Sequence, residues 1–179
     1  KEGDPKEELR MLCQENSIDL LALGALVREH MFKVFTVSIA RDVCRKAKVS
    51  LLLLTHSRVE GMPCERIVVN GLDHPKTLDT IRTALWLGSK LGSKELFVVD
   101  ELSEKSLIKP DDDKSQLNSE RKRKQIEREQ HSRIEEMLQN CQVPVNIDIK
   151  EQHVFGKRGY TIAHYAKANR ADLLVVNSP

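Results

Sequence analysis

GDPKEELRMLCQENSIDLLALG (residues 3–24) and GKRGYTIAHYAKANRADLLVVN (residues 156–177) align without a gap at an offset of 153 residues. Gly3/Gly156, Asn16/Asn169, Asp19/Asp172, Leu20/Leu173 and Leu21/Leu174 are identical. Leu9/Ile162, Ala22/Val175 and Leu23/Val176 are apolar in both. The matches fall where an α/β unit needs them. A glycine precedes the helix, polar residues turn the corner, and an aspartate opens a short buried strand. An offset of about one domain length implies a tandem array in which neither copy is complete.

Working outward, residues 5–15 carry Leu9, Leu12 and Cys13 at helical spacing, with Asp4 as N-cap and Pro5 at the first helical position. Residues 18–23 and Val49–Leu54 are short apolar runs, the pattern of strands covered on both faces. Between them, Val34, Val37, Ala40, Val43, Cys44 and Ala47 return to helical spacing. HSRVEGMPCE (56–65) mixes Gly61 and Pro63 with polar residues and reads as a linker. The cycle then restarts: strand Arg66–Val69, helix Lys76–Leu91, strand Leu96–Val99, a polar loop over 101–114, and a long helix over 116–139. Strand Val143–Ile149, helix Arg158–Asn169 and strand Asp172–Val176 close the series. Strands separated by helices predict a parallel sheet with helices on both faces. Ligands of such sheets bind beyond the carboxyl ends of the strands, where strand order reverses. That directs attention to residues just after Val69, Val99, Leu23 and Val176.

The 179 residues are 40% hydrophobic but only 4% aromatic, so the core is aliphatic. A net charge of +2, from 29 basic and 27 acidic residues, gives no electrostatic case for nucleic acid or membrane binding. Cys13, Cys44, Cys64 and Cys141 are far apart and form no CxxC pair, which fits reduced thiols in a cytosolic compartment. No apolar run reaches the roughly 18 residues of a membrane span, and no signal peptide is expected.

Three segments resemble the universal stress protein family. The repeat is similar to that family's glycine-led helix running into a buried strand. ERIVVNGLDHPKTLDTIRTALWLGSKLGSKELFVVD (65–100) looks like its opening strand, first helix and second strand. VSIARDVCRKAKVSLLLL (37–54) looks like its last helix and strand. The resemblance implies an α/β fold: a parallel five-stranded Rossmann-like sheet of order 3-2-1-4-5 with helices on both faces. Residues 1–56 then look like the C-terminal part of one unit, from its third helix to its fifth strand. Residues 57–63 are a linker, and residues 64–179 look like the next unit from its first to its fourth strand.

Many members of that family bind ATP or AMP through a loop patterned G-x2-G-x9-G-[S/T] after the fourth strand. Glycines let backbone amides approach phosphate, and the following helix N-terminus favours anionic charge. By resemblance, Gly24 takes the first position and Ser38 the last, whereas Val27 and Val37 stand at the second and third glycines. A β-branched side chain puts a Cβ where phosphate would sit and disfavours positive φ. The loop is therefore expected to have degenerated. Asp73 resembles the family aspartate near ribose and adenine, against the plainer reading of a helix-cap or turn residue ahead of Pro75. The candidate nucleotide-binding residues are Asp73, Val99, Gly24, Val27, Ser38 and Gly156.

Other motifs have bland readings. SERKRKQIEREQHSRIEE (119–136) interleaves glutamates with its bases, and Glu120–Lys124 and Glu127–His131 sit at i,i+4, so it predicts a solvated helix face rather than a nucleic-acid patch. Ile126, Ile134 and Met137 give it a sparse apolar stripe. Asp111–Asp113 lack the glycine and distal glutamate of a calcium loop. The six histidines form no HExxH or other ligand pair, and His74 and His164 are expected as ordinary surface or edge residues. Cys44 is expected to pack. No Walker A, GxGxxG or GxSxG sequence is present, so no catalytic apparatus is expected and no metal site.

The leading expectation is a non-catalytic, universal-stress-protein-like regulatory or binding module in the cytoplasm. Its resemblance extends to cytoplasmic tails of membrane transporters. The alternative is an ATP- or AMP-binding stress protein with no other cofactor. Self-association is expected through Val49–Leu54 or a neighbouring unit, with light scattering as its test, and no nucleic-acid partner is expected. Two arrangements stay open. Residues 25–56 either belong to a separate first unit or complete residues 64–179 in permuted order, with Leu52 against Val175 and residues 4–23 left over.

Overall fold

The structure is a computed structural model that describes residues 3–24, 43–44, 46, 48–54, 63–103 and 113–177, the backbone alone for 113–119. The chain divides into two compact units, Lys1–Met62 and Pro63–Pro179.

The first unit contains helix α1 (Pro5–Glu15) and strands β1 (Leu20–Gly24) and β2 (Ser50–Leu54). Asp4 caps α1 as the sequence predicts, its Oδ1 accepting from the Lys6 N–H at 3.1 Å. β1 and β2 pair in parallel from Leu20 opposite Ser50 to Gly24 opposite Leu54. Leu52 therefore lies opposite Ala22, so residues that the permuted arrangement leaves over supply the partner of β2. Cys13 and Val43 are buried, while Leu20, Leu53 and Leu54 are exposed.

The second unit runs β3 (Arg66–Asn70), α2 (Thr77–Leu91), β4 (Glu95–Leu102), α3 (Asp113–Gln139), β5 (Asp148–Phe155), α4 (Tyr160–Ala168) and β6 (Leu173–Val175). Its sheet has the order β5-β4-β3-β6, all parallel. This corresponds to positions 3-2-1-4 of the expected sheet. The β1–β2 pair corresponds to positions 4-5, so the expected five strands do not form one sheet among the described residues. Alternation along the strands separates two aliphatic cores. Ile67, Val69, Leu96 and Val98 pack with Ile81, Ala84 and Leu85 of α2 and Ile134 of α3. On the opposite face, Val68 and Val99 pack with Ile162 and Ala166 of α4. Val68 lies opposite Leu174, and Val69 opposite Val175.

Two boundaries differ from the sequence reading. Strand Val143–Ile149 is not formed. A turn closed by the Ile147 N–H on the Pro144 carbonyl (3.2 Å) occupies that stretch, and β5 starts at Asp148. Val145 is fully exposed, so the apolar alternation around Pro144 reflects no core face. β4 also continues past Val99 to Leu102, burying Asp100 and Glu101. The long helix keeps its expected place, but its charges pair differently. His131 meets Glu151 on β5 (2.6 Å), and Glu127 takes Arg123 (3.0 Å). Asp111 and Asp112 lie outside the described residues.

The repeat is visible atom by atom. Asn16 and Asn169 end their helices, each donating a side-chain N–H at 2.9 Å to the carbonyl four residues back. Ser17 (φ 49°) and Arg170 (φ 52°) follow in the left-handed region. The next N–H closes the turn, Ile18 onto Cys13 O at 3.1 Å and Ala171 onto Ala166 O at 2.8 Å. These are 6→1 bonds of the Schellman type, made with non-glycine residues. Asp172 then fastens β6, accepting the Arg66 N–H at 2.9 Å.

Candidate functional site

β3 is the strand at which the order reverses: β4 and β5 extend to one side and β6 lies on the other. The loops after β3 and β6 therefore form the crevice where a doubly wound sheet holds its ligands. Asn70 opens the first loop with an Asx turn, its Oδ1 accepting the Leu72 N–H at 3.0 Å. The Thr77 hydroxyl donates to the Leu72 carbonyl, and His74 Nδ1 accepts the Lys76 N–H at 3.1 Å. Asn177, just after β6, reaches across. Its Nδ2 lies 3.4 Å from both His74 Nδ1 and Thr77 Oγ1.

Two of the sequence-selected residues converge here. Asp73 is exposed in the turn, and it caps no helix, because Lys76 is the N-cap of α2 and makes no side-chain cap bond. Val99 contributes its carbonyl, which accepts the Gly71 N–H at 2.8 Å, while its side chain is buried against α4. Gly156 follows β5 and extends the ladder by donating to the Leu102 carbonyl at 3.0 Å. A Cβ there would collide with the Thr161 side chain, as one on Gly3 would press on Glu8 Oε1 at 3.0 Å. These paired glycines serve the same helix entry in both repeats. Gly24 ends β1, and among the described residues nothing would lie within 4 Å of a Cβ there. Val27, Val37 and Ser38 lie outside the described residues.

The sequence reading missed a group of buried ionisable residues at the carboxyl ends of β4 and β5. Glu101, 2% exposed, accepts the Gly159 N–H (2.9 Å to Oε2) and the Ile162 N–H (2.7 Å to Oε1). It occupies the positive end of α4, the position a helix would offer to an anion. On the other face, Asp100 is also 2% exposed, with Arg133 Nη2 at 3.6 Å and His153 Nδ1 at 3.8 Å from its Oδ2. His153 Nε2 lies 3.1 Å from Glu151 Oε1. The Asp100 carboxylate pushes the His153 pKa up, burial opposes it, and Glu151 adds to the rise. Arg133 carries this group to the crevice, donating to the Gly71 carbonyl at 2.6 Å and to the Leu72 carbonyl at 3.5 Å. The available signal was Leu102: its apolar side chain continues the alternation of Leu96 and Val98 through Asp100. No group of histidine, cysteine, aspartate or glutamate among the described residues is arranged to hold a metal ion. No helix among them is long and apolar enough to cross a membrane.

No protein-family model matches the chain, and no curated protein matches it significantly. Among solved structures, a universal stress protein from Archaeoglobus fulgidus matches 98% of the chain at 17% identity, with a TM-score of 0.59. The match covers 55% of that protein, so the chain spans about half its length. Protein Rv1636 from Mycobacterium tuberculosis matches 66% of the chain and 74% of its own, at 12% identity and a TM-score of 0.36. The chain thus shares with the Archaeoglobus protein the Rossmann-like α/β fold of a universal stress protein.

Proposed function

We propose that the chain is a non-catalytic regulatory or binding module of the universal-stress-protein type, acting in the cytoplasm, with a degenerate first nucleotide loop. The observation that carries this reading is the internal satisfaction of the strand ends. Glu101 takes the free N–H groups of α4, Arg133 takes the Gly71 carbonyl, and Asn177 meets His74 and Thr77. Glu101 already fills the α4 N-terminus, the position an anion would use, which disfavours a phosphate there. Valines at positions 27 and 37 point the same way for the first loop.

The exposed Asp73 at the switch point favours a second reading, an ATP- or AMP-binding stress protein. Isothermal titration with each nucleotide separates the two. The regulatory reading expects no binding tighter than about 100 µM, or roughly −5.5 kcal/mol. Tighter, saturable binding overturns it in favour of the second.

A further inference from the structure

The proposed function uses the buried ionic group under α3 only through Arg133 and the strand-end carboxylates, and its wiring suggests a further task. Along β5, Glu151 and His153 share a face with Ile149, which packs against the α2–α3 side of the sheet. Asp100 lies on the same face of β4, two residues beyond Val98. Three atoms in this group are buried without a hydrogen-bond partner: Asp100 Oδ2, Glu151 Oε1 and His153 Nδ1. Buried polar atoms left unpaired are costly, and a proton on the imidazole lets one ring face both carboxylates as a cation. The groups facing His153 are Asp100 from β4, Glu151 from β5 itself, and Glu127 from α3. His131 and Arg133 of α3 complete the set, His131 on Glu151 (2.6 Å) and Arg133 beside Asp100 (3.6 Å).

We propose that His153 is a proton-operated latch that ties β5 to the Asp100 carboxylate and, through the Arg133 that shares this carboxylate, sets how firmly α3 holds the loop after β3. When His153 is charged, Asp100 is balanced by two cations, and Arg133 is free to keep its short bond to the Gly71 carbonyl. When His153 loses its proton, Asp100 retains Arg133 alone. The guanidinium is drawn toward the carboxylate, and its hold on Gly71 and Leu72 weakens. The crevice is thereby coupled to pH whatever it binds, so the inference stands apart from the proposed ligand behaviour.

The sign follows from the raised folded-state pKa. The stabilisation is complete below the ordinary imidazole value of about 6.5 and is lost as pH rises through the higher folded value. One proton changes the unfolding constant by up to about tenfold per pH unit in that window. The test combines urea unfolding, followed by the fluorescence of Trp86 in the second unit, with NMR titration of the intact chain. The latch predicts that stability falls from pH 6.5 upward in the wild type and that H153Q flattens this slope. H131Q keeps it. It also predicts that the Gly71 and Leu72 amide resonances titrate with the midpoint of the His153 ring. Identical pH profiles for wild type and H153Q overturn the proposal, as does a His153 midpoint below 6.5. Should H153Q fail to fold, the wild-type titration decides: Gly71 and Leu72 resonances that ignore the His153 midpoint refute the coupling.

Discussion

Ser17 and Arg170 hold the same strained conformation 153 residues apart, and each follows an asparagine that ends a helix. A left-handed backbone costs an ordinary side chain roughly 1 kcal/mol, which glycine avoids. R170G is therefore expected to stabilise the second unit by about 0.5–1 kcal/mol in urea unfolding, part of the relief being offset by unfolded-state entropy. Glu101 acts in the opposite sense. Its carboxylate satisfies the start of α4 from a neighbouring strand, and hydrogen bonds to charged groups are worth about 1.5–3 kcal/mol. E101Q is expected to lose about that much in the same assay. An unchanged midpoint would mean that solvent or another side chain caps the helix equally well.

At the scale of elements, the residues that alternate cleanly were legible and those that carry charge inside were not. α1, β3 and α2 fall within one residue of their sequence limits because caps, turn residues and apolar spacing agree. β5 was misplaced because VPVNIDI offers β-branched residues at period two, whereas the true strand is an edge with lysine, glutamate and histidine along it. An edge strand leaves one row of backbone N–H and C=O groups unpaired, and charged side chains along it guard that open side at the expense of its apolar pattern. β4 was cut short at Val99 because two consecutive acids read as a strand end. The ionic group under α3 was thereby hidden, and with it most of the candidate site. The new limits give a direct contrast. V145S, at an exposed turn position, should change stability by less than about 0.5 kcal/mol, whereas I147A, in the core, should cost about 2–4 kcal/mol. Comparable losses for both in urea unfolding would restore the earlier strand.

At the scale of the whole molecule, the chain falls into two compact units, and the candidate site residues divide unequally between them. The first unit carries β1 and β2, the strands on either side of residues 25–49, where Val27 and Val37 stand. The second carries the switch point between β3 and β6, with its loops tied together by Asn70, His74, Thr77 and Asn177. A crevice held by its own side chains needs no nucleotide to organise it, and that is the central claim. Heteronuclear NMR of the intact chain, titrated with magnesium ATP to about 1 mM, an excess that would occupy most of a site of about 100 µM, tests it most directly. The account predicts that the amides of Gly71, Leu72, Asp73, His74 and Asn177 stay unmoved. Saturable shifts at these residues would contradict it.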